Sequence, residues 1–341
     1  MRSEKILVIS PNWVGDAVMA IPMVSLLRKE FSLAHIAILT KSYLGDIWKS
    51  NAAVNEIICF DSTDSVFYGN FYPMVHRLGR GKFNTAIILS HYASHAALTF
   101  FAGIPVRIGY AVRHRKIFLT HPFPYSSAVR TKHMVENYID FLLPLGIRSD
   151  PQFLVMRLET SAKESAARIL AEKGISINDT IIGVAPGARF GPAKRWPAEY
   201  YFQLLRTIGE DWNIKTAVFT GPADQEIARQ LKEHAGKNIL FFDGVQSLTT
   251  VAALVARCTV LVSNDSGLIH IAAAVGTKTV GIYCSTSPVW TRPYGEGHII
   301  LSSDVPCRPC FNESCRDGSY RCLHAVGVQD VVAAVHKQFY S

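Results

Sequence analysis

Two series of short apolar runs, each run separated from the next by a helical stretch, constrain this chain more than any other feature. The first series is Ile6–Ser10, His35–Thr40, Glu56–Phe60 and Thr85–Ser90; the second is Ile181–Ala185, Thr216–Thr220, Ile239–Phe242, Val260–Ser263 and Thr279–Tyr283. Strands that alternate with helices build parallel sheets through crossover connections. Runs such as ILVI and TAIIL lack the polar alternation of a half-exposed strand, so helices should cover both faces of each sheet. Between Leu142 and Asp179 the rhythm breaks, with a turn-rich LPLGIRSDP followed by the charged helical pattern SAKESAARILAEKG. These features predict an α/β protein of two Rossmann-like domains, 1–160 and 161–341. The spacing of Val328, Val331, Val332 and Val335 predicts a packed terminal helix over about 327–340.

Composition excludes several classes. Of 341 residues, 49% are hydrophobic and 18% charged, which rules out disorder and low complexity. The first residues place Glu4 and Lys5 before a short apolar run, unlike a secretory leader, and Lys278 interrupts the most apolar stretch, so we expect a cytosolic protein that meets a membrane only from its surface. A net charge of +8 favours an anionic partner. P-loop, dinucleotide G-x-G-x-x-G, zincin and serine-hydrolase motifs are absent, as is a D-x-D pair that would hold a divalent ion on a sugar diphosphate. A diphosphate would therefore be neutralised by protein groups.

Ligands of open parallel sheets bind beyond the carboxyl ends of the strands, so the residues there are the candidates. After the first strand, Pro11-Asn12-Trp13-Val14-Gly15-Asp16 leads into a helix, and Asp16 is either an N-cap or a general base facing a substrate hydroxyl. Pro22 implies a kink or restart of that helix. Arg107, Arg113, His114, Arg115, Lys116, Arg130, Lys132 and His133 form either a solvated basic face or an acceptor site for phosphates and carboxylates. Aromatic residues are not interleaved among them as a base-stacking platform requires, which argues against nucleic acid.

In the second domain, the loop Pro186 to Pro197 supplies Arg189, Lys194 and Arg195, and Lys194 with Arg195 suits a departing diphosphate. Val262 to His270 reads as a strand end, a polar turn and an apolar helix. The free amides at Gly267 and Leu268, with the Ser266 hydroxyl, suit a phosphate. Asp265 either orients the ligand or caps that helix, and His270 is either packed or catalytic. Asp224 or Glu226, after the strand ending at Thr220, suits ribose hydroxyls. Finally, Cys307, Cys310, Cys315 and Cys322, with His324 close behind, predict a structural zinc site, against the alternatives of reduced thiols or disulfides.

The segments NWVGDAVMAIP, FAGIPVRIGY, KHMVENY, PGARFGPAKRWP and SNDSGLIHIAAAVG together resemble the ADP-heptose:lipopolysaccharide heptosyltransferase family over most of the chain. The resemblance implies a GT-B fold, with two Rossmann-like domains facing a central cleft and the terminal helix packing back toward the N-terminal domain. It implies inverting, metal-independent transfer of heptose from ADP-L-glycero-D-manno-heptose onto the inner-core heptose of lipopolysaccharide, built on Kdo-lipid A, at the cytoplasmic face of the inner membrane. The family's catalytic aspartate maps onto Asp16, its diphosphate-contacting lysine onto Lys194 and its nucleotide-site aspartate onto Asp265. No catalytic cofactor is implied. The competing readings are another transferase of the family, a sugar-nucleotide or lipid A core binding protein without catalysis, and a GT-B-like epimerase. The cysteine-bearing segment, roughly 305–324, departs from the family pattern.

Overall fold

The computed structural model describes residues 4–49, 51–61, 71–149, 154–233, 235–245 and 247–340. The chain divides into two compact units, Met1–Leu154 and Val155–Ser341.

The first unit holds a parallel sheet of β1 (Lys5–Ile9), β2 (His35–Lys41), β3 (Glu56–Phe60), β4 (Thr85–Ile88), β5 (Val106–Tyr110) and β6 (His121–Phe123), in the order β3-β2-β1-β4-β5-β6. The second unit repeats the plan with β7 (Ile181–Ala185), β8 (Lys215–Thr220), β9 (Ile239–Asp243), β10 (Val260–Asn264), β11 (Lys278–Tyr283) and β12 (Ile299–Ser302), in the order β9-β8-β7-β10-β11-β12. This is the doubly wound order in which the chain reverses direction across the sheet at β1/β4 and at β7/β10. Register is continuous there: Val8 opposes Ile38 on one side and Ile87 on the other, and Val262 opposes Val280 and Val184.

Burial explains why these segments are strands. Leu7, Val8 and Ile9 of β1 and Val260, Leu261 and Val262 of β10 are fully buried, so both faces of each central strand are covered. In the second unit one cluster joins β7, β8, β10 and β11 to Trp196, Tyr201, Leu204 and the terminal helix, and another packs Ala162, Ala166 and Leu170 on the other face. The terminal helix Val328–Tyr340 packs on β10, β11, β12 and the helix Ala198–Arg206 of this unit. In the first unit the opening helix ends at Met19, and a second runs Ile21–Glu30 with Pro22 in its first turn, where its missing N–H is harmless. No helix of the described residues is long and apolar enough to cross a membrane.

Candidate active site

The carboxyl ends of β7 and β10 carry most of the expected donor site. Lys194 closes a short 3₁₀ turn, Pro192–Lys194, and its Nζ reaches Asp265 Oδ2 at 2.6 Å, with the two side chains 14% and 3% exposed. Asp265 does not cap the following helix Gly267–Ala274; Ser266 occupies that position, without a side-chain capping bond. Instead the Asp265 carboxylate accepts from Thr286 Oγ1 at 2.6 Å and Thr291 Oγ1 at 3.4 Å, while His270 Nε2 lies 3.9 Å from its other oxygen. Burial pushes this carboxyl up, but Lys194, His270 and the Thr286 hydroxyl overcome it, so Asp265 sits below the usual carboxylate range and stays ionised.

The loop that delivers Lys194 is held by a side chain the sequence reading passed over. Asn264, fully buried, accepts from Trp196 N–H at 3.1 Å and donates to the Pro186 carbonyl at 2.7 Å, clamping both ends of the loop. Arg195 is committed to the loop as well, its Nε donating to Ala188 O at 3.0 Å. The Lys194 ammonium lies 4.9 Å from the Phe190 ring centroid, a cation–π contact. Of the two carboxylates left open for ribose, Asp224 lies against the loop, where a Cβ on Gly187 would fall 2.2 Å from it, and accepts from Gly221 N–H. Glu226 bonds Arg229 and Gln230 on an exposed helix face.

The cysteine segment braces this loop instead of gathering thiols. Ala193 N–H donates to Glu313 O at 3.0 Å, and a Cβ on Gly191 would fall 2.4 Å from that carbonyl, so only glycine fits there. Phe311 N–H donates to Ser285 O at 2.8 Å, and Arg308 donates to the carbonyls of Cys284, Thr286 and Ser303. The expected zinc site is thereby corrected. Cys322 turns into the hydrophobic core on the short helix Arg321–His324, Cys315 donates to Asp317 Oδ1 at 3.0 Å, and Cys307 is exposed. Among the described residues no three His, Cys, Asp or Glu side chains are grouped to hold a metal. All seven cysteines are free, so the disulfide alternative falls too.

In the first unit, Asp16 lies in the first turn of Val14–Met19, whose N-cap is Trp13, so the capping role is not its place. Asp16 is half-buried and near Tyr138; burial first and the Asp16 charge second raise that phenol well above its usual range. The basic residues do not form one site. Arg107 donates to the carbonyls of Phe118, Ile104 and Pro105, Lys132 pairs with Asp140, and His133 Nδ1 caps the helix Met134–Asp140 by accepting from Val135 N–H. Arg113, His114 and Lys116 are exposed, while Arg115 is fully buried.

With that geometry in view, comparison with known proteins is consistent. Residues 72–321 match the model of glycosyltransferase family 9 (heptosyltransferase). Lipooligosaccharide heptosyltransferase 2 of Haemophilus ducreyi is 30% identical over 87% of this chain and 88% of its own. Among solved structures, ADP-heptose LPS heptosyltransferase II of E. coli superposes with a TM-score of 0.84 at 24% identity over 98% of both chains. A family 9 glycosyltransferase of Veillonella parvula gives 0.87 at 23% identity, over 99% of this chain and 97% of its own. Both matches show the two-sheet GT-B fold.

Proposed function

Because the chain belongs to glycosyltransferase family 9, the heptosyltransferases, we propose that it moves heptose from ADP-L-glycero-D-manno-heptose onto the inner-core heptose of lipopolysaccharide, with inversion and without a metal. The observation that carries the donor assignment is the buried Lys194–Asp265 pair beside the start of the helix Gly267–Ala274, at the strand-order reversal β7/β10. A diphosphate there meets an ammonium that still has N–H donors to spare and the amides of Gly267 and Leu268. Asp265 holds Lys194 in place and, with Thr286, lines the sugar side, while Asp224 is the better placed of the two ribose candidates.

Chemistry then follows from the residues. An acceptor hydroxyl is a weak nucleophile at neutral pH, and Asp16, set in a first helical turn at the carboxyl end of β1, takes its proton as the oxygen attacks the anomeric carbon. The bond from that carbon to the diphosphate breaks on the opposite side, and ADP leaves with its new charge countered by Lys194 and the helix amides. The positive net charge of the chain suits an anionic acceptor at the cytoplasmic membrane surface. Mass spectrometry of products from purified protein, ADP-heptose and a panel of truncated core acceptors tests the reading. A mass gain of one heptose on a heptose-bearing acceptor supports it; donor consumed without acceptor, or no turnover with any acceptor, would refute it.

A further inference from the structure

Past their last paired residues, Tyr283 and Ser302, the strands β11 and β12 part, and the carbonyls that follow have no ladder partner. Cys284, Ser285 and Thr286 are buried, so those carbonyls cannot turn to water and need donors from the protein. The cysteine-bearing segment supplies a donor to each in turn. Arg308 Nε donates to Cys284 O, Phe311 N–H donates to Ser285 O at 2.8 Å, and Arg308 Nη2 donates to Thr286 O at 3.3 Å. Nη1 of the same guanidinium donates to Ser303 O, on the other branch of the fork. A planar group with donors on three nitrogens can span two diverging strands, whereas the compact ammonium of lysine cannot. The guanidinium meets carbonyls and no carboxylate among the described residues, so the fork uses its shape more than its charge.

Thr286 gives this grip its consequence. The Thr286 hydroxyl donates at 2.6 Å to Asp265 Oδ2, the oxygen that also receives Lys194 Nζ at 2.6 Å. Thr291 reaches the same oxygen only at 3.4 Å, so it is a poor substitute. Further along the segment, Glu313 O accepts from Ala193 N–H, the residue before Lys194. Residues 308–313 therefore clip both sides of the Lys194–Asp265 pair: Arg308 and Phe311 hold the Thr286 side, and Glu313 holds the Lys194 side. A shift of about 1 Å in such a support costs on the order of 10²-fold in rate.

We infer that Arg308 is a positioning residue of the transfer reaction: by fixing the Cys284 and Thr286 carbonyls it seats the Thr286 hydroxyl on Asp265, and so aims the Lys194 ammonium at the departing diphosphate. This rests on the proposed transfer for its effect on rate but not for the linkage from Arg308 through Thr286 to Asp265.

The test uses the full chain and three variants, Arg308→Lys, Thr286→Val and the two combined. Each single variant should lower kcat for transfer from ADP-heptose by about tenfold or more, with ADP affinity changed by less than about threefold, because Lys194 is present but misaimed. The combined variant should be slower than the slower single one by no more than about twofold, since both changes break one linkage, whereas independent roles would multiply the losses.

A second readout needs no turnover. Burial pushes the Asp265 carboxyl up, and Lys194, His270 and the Thr286 hydroxyl together hold it below its usual range. The stability this brings is full above the unfolded carboxylate value and is lost as pH falls through the folded one. Losing the Thr286 bond raises the folded value, so the gap in melting temperature between parent and variant should narrow toward acid for Arg308→Lys as it does for Thr286→Val. The other groups facing Asp265, namely Lys194, His270 and the Tyr283 phenol, are the same in parent and variants. A purely structural brace would leave the Arg308→Lys gap constant with pH, and that result overturns the inference. So does a parental kcat, a multiplied loss in the combined variant, or a loss of ADP affinity with kcat intact. Should Arg308→Lys fail to fold, Arg308→Met takes its place under the same criteria. A parent protein that transfers no heptose to any acceptor refutes the reaction instead, and the melts then decide the linkage alone.

Discussion

Replacing Lys194 by Met strands a carboxylate. Asp265 is 3% exposed, so removing its ammonium partner leaves the charge to neutral hydroxyls, chiefly those of Thr286 and Thr291, and the more distant His270. Breaking a buried pair from one side costs roughly 3–5 kcal/mol, and the remaining donors place this case near the lower end, about 3 kcal/mol. For a domain of about 150–250 residues that corresponds to a melting temperature lower by roughly 6–12 °C. Asp265→Asn should cost less, because Lys194, 14% exposed, can turn to water. The pH dependence carries a definite sign. In the parent, the Asp265 pKa is lowered by Lys194, so its contribution to stability is full above the unfolded carboxylate value and is lost only as pH falls through the lower folded one. Without Lys194 the upward push of burial prevails, and the folded pKa rises above the unfolded value. The penalty is then largest at neutral pH and shrinks as acid protonates the stranded group. Thermal melts of parent and Lys194→Met between pH 8 and pH 5 should show the gap narrowing toward acid. A gap that is absent, or that widens toward acid, would refute the reasoning.

Three further outcomes follow from the same site. Asn264→Ala leaves the Pro186 carbonyl and Trp196 N–H unpaired in a buried place, costing about 2–4 kcal/mol by urea unfolding and lowering kcat more than it changes ADP affinity, because Lys194 is misplaced. Gly191→Ala forces the loop away from the Glu313 carbonyl and should lower kcat at least tenfold, measured on protein whose circular dichroism is unchanged. Cys322→Ser puts a hydroxyl in the core and should cost about 1–3 kcal/mol, whereas exposed Cys307→Ser should stay within about 0.5 kcal/mol; equal costs, as metal ligands would show, would contradict the geometry.

The fold was legible where apolar runs are long and uninterrupted. β5 was missed because Arg107 and Gly109 break its run, β6 because Pro122 lies within its three residues at the sheet edge, and β12 because it has four. Pro22 marked the helix restart correctly, since the physics of its missing N–H is local. Asp16, Lys194 and Asp265 could be nominated as candidates because topology fixes the end of the sheet where ligands bind. The residues that hold them could not. Asn264 reaches a carbonyl 78 positions away and Thr286 a carboxylate 21 away, contacts that only the folded sheet creates. Cysteine spacing misled for the same reason: it records chain distance, whereas the side-chain direction of Cys322 is set by the core it packs into. Likewise the basic cluster divides by duty: Arg107 and Arg115 donate to carbonyls, Lys132 pairs with Asp140 and His133 caps a helix.

The central claim, base-assisted heptosyl transfer, is tested most directly at Asp16. Asp16→Asn preserves size while removing charge and proton affinity, and because the N-cap is Trp13 the helix keeps its cap. Turnover of ADP-heptose with a heptose-bearing core acceptor, measured beside ADP affinity and melting temperature on one preparation, should fall ~10²–10⁴-fold while the other two stay at parental values. A folded Asp16→Asn protein that binds ADP and transfers heptose at close to the parental rate would contradict the account.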